Sequence, residues 1–462
     1  MKNPRFLILL LTSILLLLPA APVRALTPEP VPEAASALLM DMATGEVLFE
    51  KAADRKMFPA STTKMITCLL AIENLELEDT LLIDAEVPKT EGNSIKLKEG
   101  EEVRVLDLLY SMMTESANDS AVALARAVSG NVPEFAALMN ERARQYGAGN
   151  TNFVNPHGLQ DPLHVSTARD LALIAKACME NETFRMLAST ASYQMEATNK
   201  SGARTFRSTN RLLWDEQEST SVYVNGVLRE CKYPGTIGIK TGYTSDALGC
   251  LVSAARQGET TLLAVVLKSS DLGRFADSIA LLDWGFKNYK TVSVIGAGTE
   301  LGQVPVRRGA VNKVPAVPQR PVAATVPAEA SEAVLTTEVR LDPFVRAPVE
   351  EGQKIGEIVL LESGAQIALF PAVAALAVEE GGPLSVFGIE DAAAALIGKI
   401  AAILAAGLIL LATAYVIFKR RQIRRKKQAR IRRLRDQKAE EEARRQEWER
   451  HYESRYREDR ED

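Results

Sequence analysis

Three short runs in this chain carry side chains that could do chemistry together. The first is Pro59-Ala60-Ser61-Thr62-Thr63-Lys64-Met65-Ile66-Thr67. A helix beginning at Ser61 puts the Ser61 hydroxyl and the Lys64 amine one turn apart on one face. It also puts Ser61 at the positive end of the helix dipole. A neutral lysine there can take the proton from a hydroxyl that is otherwise a poor nucleophile. The second run is Ser116-Ala117-Asn118, about 50 residues on, at an expected helix junction. The third is Lys240-Thr241-Gly242, within Gly238 to Thr244 on an expected strand. Two ammonium groups near one partly desolvated hydroxyl push at least one pKa down. That keeps a neutral base available near neutral pH. No histidine is needed, which suits a chain with only 3.

The order S-x-x-K, S-x-N, K-T-G is that of the penicillin-interacting serine enzymes. Further segments narrow the resemblance: Asn155-Pro156-His157-Gly158-Leu159, Ser166 to Asp170, and Leu282-Asp283-Trp284-Gly285-Phe286. With these, residues 34–290 resemble the D-alanyl-D-alanine carboxypeptidases, the low-molecular-mass penicillin-binding proteins. The β-rich stretch 291–380, with Ala347 to Gln353, resembles that family's second domain.

The resemblance implies a role for each motif residue. Ser61 attacks the carbonyl between two terminal D-alanines, and Lys64 is the general base. Ser116 relays a proton to the leaving amine, with Lys240. Asn118 holds the substrate backbone and Lys64. Lys240 and Thr241 engage the terminal carboxylate. Gly242 allows close approach to the strand edge. The backbone N–H groups of Ser61 and Thr244 form the oxyanion hole. The implied substrate is the peptidoglycan stem peptide, with β-lactams as covalent inhibitors and no cofactor.

Two other readings compete. A class A β-lactamase needs a deacylating Glu on the loop before K-T-G, where this chain carries Asn155 to Leu159 instead. A β-lactam sensor signalling through a membrane is expected to have a larger inside part than the 44 residues after Phe418.

The elements that position these groups follow from hydrophobic periodicity. Ser36–Met40 and Val47–Phe49 read as a hairpin around the turn Asp41 to Gly45. Helical patterns cover 64–73, 105–113, 120–128, 132–146 and 167–178, and strands return at 236–240, 250–255 and 261–267. A helix over 274–289 closes the region. Strands at both ends with helices between predict an α/β sandwich: one sheet covered by helices. Between 291 and 380 we expect a small all-β domain, with strands at 292–295, 339–341, 354–360 and 365–370. Pro315, Pro318, Pro321 and Pro327 are expected to make loop rather than strand.

His157 and His164 read as structural residues of their loop and lack metal-ligand spacing, so no metal is expected. Cys68 and Cys178 fall on apolar helix patterns and read as buried thiols. Cys231 and Cys250 bracket the K-T-G strand and could pair or stay free; the sequence leaves both open.

Charge is divided along the chain. The 462 residues carry a net charge of −4, with 4 Cys. So few His and Cys argue against a multi-zinc protein or a disulfide scaffold. Lys419 to Asp462 hold 18 Lys/Arg and 11 Asp/Glu, whereas residues 26–418 hold 34 and 48. Lys2 and Arg5, then an apolar run from Phe6 to Leu18 and small residues to Ala25, read as a signal peptide over 1–25. Ile400 to Phe418 is a 19-residue run without charge, long enough for a transmembrane helix. Eleven Lys/Arg follow between Lys419 and Arg435. Such a cluster stays on the cytoplasmic side. The expected order is therefore catalytic domain 26–290, β domain 291–380, connector 381–399, span 400–418 and cytoplasmic tail 419–462. The tail's Glu440–Arg444 and Glu441–Arg445 spacings fit a solvated helix. Its basic start could also meet anionic lipid. The acidic body argues against nucleic-acid binding.

Overall fold

The computed structural model describes residues 27–214, 221–331 and 334–458. The signal-peptide segment lies outside the described residues. The chain forms two compact units. One runs through Thr299 and takes in Arg320–Glu338 and Val359–Phe370; the other comprises Glu300–Gln319, Val339–Ile358 and Pro371 onward.

The first unit is built on a five-stranded sheet. Its spatial order is Val47–Lys51, Ser36–Asp41, Thr260–Ser269, Leu248–Gln257, Thr236–Thr244. Every neighbouring pair is antiparallel. The K-T-G strand is thus an edge strand. Both faces of the sheet are covered, so alternation separates two cores rather than core from water. Leu38, Met40, Val252, Ala254, Leu263 and Val265 face one core. Ala37, Leu39, Leu251, Ala255, Leu262 and Ala264 face the other.

The first core is covered by helices Lys64–Asn74, Val105–Thr114, Asn118–Ser129, Val132–Gln145 and Ala168–Cys178. Thr167 caps the last of these, its side chain accepting from the Asp170 N–H. This is the expected cap geometry for a threonine just outside a helix. The second core is covered by the helix Gly273–Asn288. A helix Glu182–Ala188 and the hairpins Ser192–Met195/Arg204–Arg207 and Ser221–Val224/Val227–Glu230 were not expected from sequence. All four cysteines are buried and free, so Cys231 and Cys250 are unpaired.

The proline-rich stretch corrects an expectation. Lys313–Pro318 and Val322–Pro327 are strands, not loops. A proline lacks a donor but keeps its carbonyl. The Pro315 carbonyl accepts from Ala375 N–H at 2.9 Å. Val314 and Ala316 alternate inward and pack with Val304, Ile355 and Val378 in the small core of the second unit.

From Asp391 to Glu458 the chain is one helix. It takes in the end of the expected connector, the apolar run and most of the tail. The apolar part is long enough to cross a membrane, and its window is 0% buried.

Candidate active site

The three runs meet at one cleft of about 490 Å³. Its lining includes Ser61, Ser116, Asn118, Thr241, Gly242 and Thr244. Lys64 and Lys240 lie just behind, both 0% exposed. Every residue given a catalytic or substrate-binding role from the sequence therefore falls in or against this cleft.

Ser61 does not open an α-helix as expected. It lies in a 3₁₀ turn, Ala60–Thr63, and the α-helix begins at Lys64. The one-turn spacing survives the change, because 3₁₀ geometry also brings i and i+3 together. Lys64 Nζ donates to Ser61 Oγ at 2.8 Å, to Asn118 Oδ1 at 2.7 Å and to the His157 carbonyl at 2.7 Å. Asn118 and His157 can only accept, so they fix the amine from two sides; in the neutral amine the third position is a lone pair that faces the Ser61 hydroxyl. Burial, then the nearby Lys240 ammonium, push the Lys64 pKa well below its ordinary value, against a smaller opposing pull from Asp119. A lysine held this way can be neutral and accept a proton.

Lys240 Nζ donates to Ser116 Oγ at 3.1 Å and to the Thr241 carbonyl at 3.2 Å. Burial, then the Arg274 charge, bring its pKa down to about 7, with Glu115 pulling the other way. Ser116 has φ 64° and Ala60 has φ 47°. Positive φ at non-glycine residues is strained and gathers at functional sites.

Two glycines make the cleft geometrically tight. Gly158 has φ +88°, and a Cβ there would lie 1.9 Å from the Ala60 carbonyl oxygen. A Cβ on Gly242 would lie 2.9 Å from the Ser61 nitrogen. The edge strand thus passes directly beside the serine.

The roof is tied down by the S-x-N segment. Asn118 Nδ2 donates to the Glu91 carbonyl at 2.7 Å. The buried Asp119 carboxylate accepts from Ser94 Oγ at 2.7 Å and from the Ile95 and Leu97 N–H groups at 3.2 and 3.1 Å.

The histidines keep structural places. His164 meets Thr63 Oγ1 at 2.8 Å through Nε2 and accepts from Val154 N–H through Nδ1. Burial, then the Lys64 charge, lower the His157 pKa to about 3, and its ring Nδ1 accepts from Leu159 N–H. What His157 gives the site is its carbonyl.

Sequence reasoning missed Thr209, Asp271 and Arg274. Thr209 Oγ1 is 2.5 Å from Thr241 Oγ1. Arg274 Nη1 donates to the Gly242 carbonyl at 2.9 Å and Nη2 pairs with Asp271 at 2.8 Å. Arg274 sits in the first turn of the closing helix Gly273–Asn288, and no local spacing ties it to the cleft. Thr244 lines the cleft, and its hydroxyl accepts from Ala247 N–H at 3.0 Å, so its side chain serves the turn.

A serine hydroxyl served by a buried lysine, beside an edge strand whose backbone is open to a ligand, defines an acyl-transfer site. The comparisons agree with that class. A family model described as D-alanyl-D-alanine carboxypeptidase matches residues 24–271. Another, described as the C-terminal domain of penicillin-binding protein 5, matches residues 289–380. The chain belongs to the D-alanyl-D-alanine carboxypeptidase family. Among its relatives, the D-alanyl-D-alanine carboxypeptidase DacF of Bacillus subtilis is 31% identical over 355 residues, 75% of this chain and 86% of that one. DacC of Escherichia coli is 32% identical over 370 residues, 76% and 86%. The crystal structure of penicillin-binding protein 5 from Haemophilus influenzae superposes with a TM-score of 0.60 at 30% identity, covering 77% of this chain and all of that one.

Proposed function

We propose that Ser61 is the nucleophile of a serine-type D-Ala-D-Ala carboxypeptidase. It removes the terminal D-alanine from peptidoglycan stem pentapeptides, and penicillins acylate the same hydroxyl. The observation that carries this reading is the 2.8 Å contact from Lys64 Nζ to Ser61 Oγ, with the lysine wholly buried.

In this reading neutral Lys64 takes the Ser61 proton as Oγ attacks the carbonyl between the two D-alanines. The oxyanion lies between the Ser61 N–H and a backbone N–H of the Tyr243–Thr244 stretch. Collapse breaks the C–N bond. Ser116, hydrogen-bonded to Lys240, relays the proton that Lys64 took from Ser61 to the leaving amine, which returns Lys64 to its neutral form. Asn118 orients the peptide and Lys64. Lys240, Thr241 and Arg274 receive the terminal carboxylate. Water then attacks the Ser61 ester, with Lys64 again as base, and frees the tetrapeptide.

We also infer an orientation. The charge-free run 400–418 spans the membrane, the units before it face outward, and the basic tail lies in the cytoplasm. Export through the 1–25 signal segment supports the same sense.

The test uses the full chain in detergent. Wild type releases D-alanine from a pentapeptide and is labelled by penicillin; Ser61→Ala does neither. Labelling that persists in Ser61→Ala overturns the nucleophile assignment. Labelling of wild type without D-alanine release favours a sensor, and rapid penicillin turnover favours a β-lactamase.

A further inference from the structure

The cleft has one feature at odds with its proposed ligand. It must seat a carboxylate, yet one carboxylate already lines it. Asp271 is the one acidic side chain among the described lining residues. Its Oδ1 lies 2.8 Å from Arg274 Nη2.

The two partners differ in freedom. The Arg274 side chain is 10% exposed and that of Asp271 is 62% exposed. Arg274 is held in place by the Gly242 carbonyl at 2.9 Å. Its Nε is buried with no hydrogen-bond partner among the described residues. The guanidinium is therefore fixed against the K-T-G strand and only partly used, while the aspartate can swing into solvent. A guanidinium prefers one carboxylate in fork geometry. With Asp271 on Nη2 and the Gly242 carbonyl on Nη1, a second carboxylate cannot take the paired Nη donors without meeting the aspartate's charge.

We propose that Asp271 is a built-in competitor for Arg274. In the free enzyme its carboxylate occupies the guanidinium that a substrate's terminal carboxylate must reach. It thereby sets how tightly the cleft holds both the stem peptide and released D-alanine. This rests on the carboxypeptidase reading of the cleft. Asp271 is a specificity-setting residue that acts through Arg274, not a catalytic one. Its chemical effect is an exchange of one carboxylate for another, with no bond made or broken.

The experiment measures steady-state kinetics of the full chain in detergent, with D-alanine added as product inhibitor. For Asp271→Asn we expect KM for the pentapeptide to fall about three- to tenfold, and the D-alanine inhibition constant to fall in parallel. A pentapeptide ending in a carboxamide has no charge to compete, so its kinetics should not change. Asp271→Glu should return KM most of the way to wild type. A KM and inhibition constant within twofold of wild type overturn the proposal. So does a raised KM, which would make Asp271 a support for Arg274. Unchanged melting of Asp271→Asn separates these outcomes from damage to the fold. If wild type itself releases no D-alanine, the carboxypeptidase reading has failed. If wild type is active and Asp271→Asn is kinetically silent, only the role of Asp271 has failed.

Discussion

Lys64 and Lys240 are lysines with no exposed surface, and in the mechanism proposed above their protons set the pH behaviour of the site. Lys64 must be neutral to act as a base, so kcat/KM falls as pH drops through its depressed pKa. Lys240 must be charged to hold a carboxylate, so substrate affinity falls as pH rises through about 7. A profile of kcat/KM, which reports the free enzyme, should therefore show an alkaline limb beginning near pH 7. In kcat that limb should move to higher pH, because bound carboxylate raises the Lys240 pKa. Coincident limbs in both profiles exclude Lys240 as their source. The same shift has a stability sign. A lysine with folded pKa below its unfolded value carries a penalty that is full below the folded pKa. The penalty lifts as pH climbs toward the unfolded value. For Lys240 that window runs from about 7 to 10.5, and thermal midpoints should rise across it. At Gly158, alanine combines positive φ with overlap of the Ala60 carbonyl. The cost should be at least about 2–3 kcal/mol, read as a lower melting temperature together with loss of penicillin labelling.

At the scale of elements, one carboxylate organises the roof of the cleft. Asp119→Ala leaves Ser94, Ile95 and Leu97 without their acceptor. An unsatisfied buried donor costs about 1–3 kcal/mol. The loop through Glu91 also supplies the carbonyl that holds Asn118. We expect Asp119→Ala to lower stability and to reduce acylation by penicillin, measured in stopped flow, while Asp119→Asn retains more of both. Much of this architecture was legible in the sequence. The helix 105–113 was read within a residue of Val105–Thr114, because an apolar face recurs at helical spacing. The S-x-x-K, S-x-N and K-T-G runs were legible because each holds its side chains at fixed local spacing. Arg274 and Thr209 were not, since they reach the cleft only through the folding of distant segments against the Thr236–Thr244 edge. The positive φ of Ser116 has no residue-type signature. The strands Lys313–Pro318 and Val322–Pro327 were missed because their prolines suggested a broken ladder, whereas carbonyls alone carry part of the pairing.

Across the whole molecule, charge sorts by segment. Residues 26–418 hold 34 Lys/Arg against 48 Asp/Glu, and the tail reverses the balance with 18 against 11. A chain ending at residue 390 should partition into buffer without detergent and keep its D-alanine release, whereas the full chain should pellet with membranes. Protease added to intact cells should spare the 419–462 tail and leave it detectable only after lysis. A tail cleaved from outside would reverse the orientation proposed here. The helix Asp391–Glu458 adds a mechanical consequence. After Gly407 it contains neither glycine nor proline, so it has no residue that favours a kink. The part from Lys419 onward extends roughly 60 Å at 1.5 Å per residue. Such a segment is a lever: a tilt of about 10° in the apolar part displaces the far end by roughly 10 Å, so in the proposed orientation small changes in bilayer thickness become large excursions of the tail's far end.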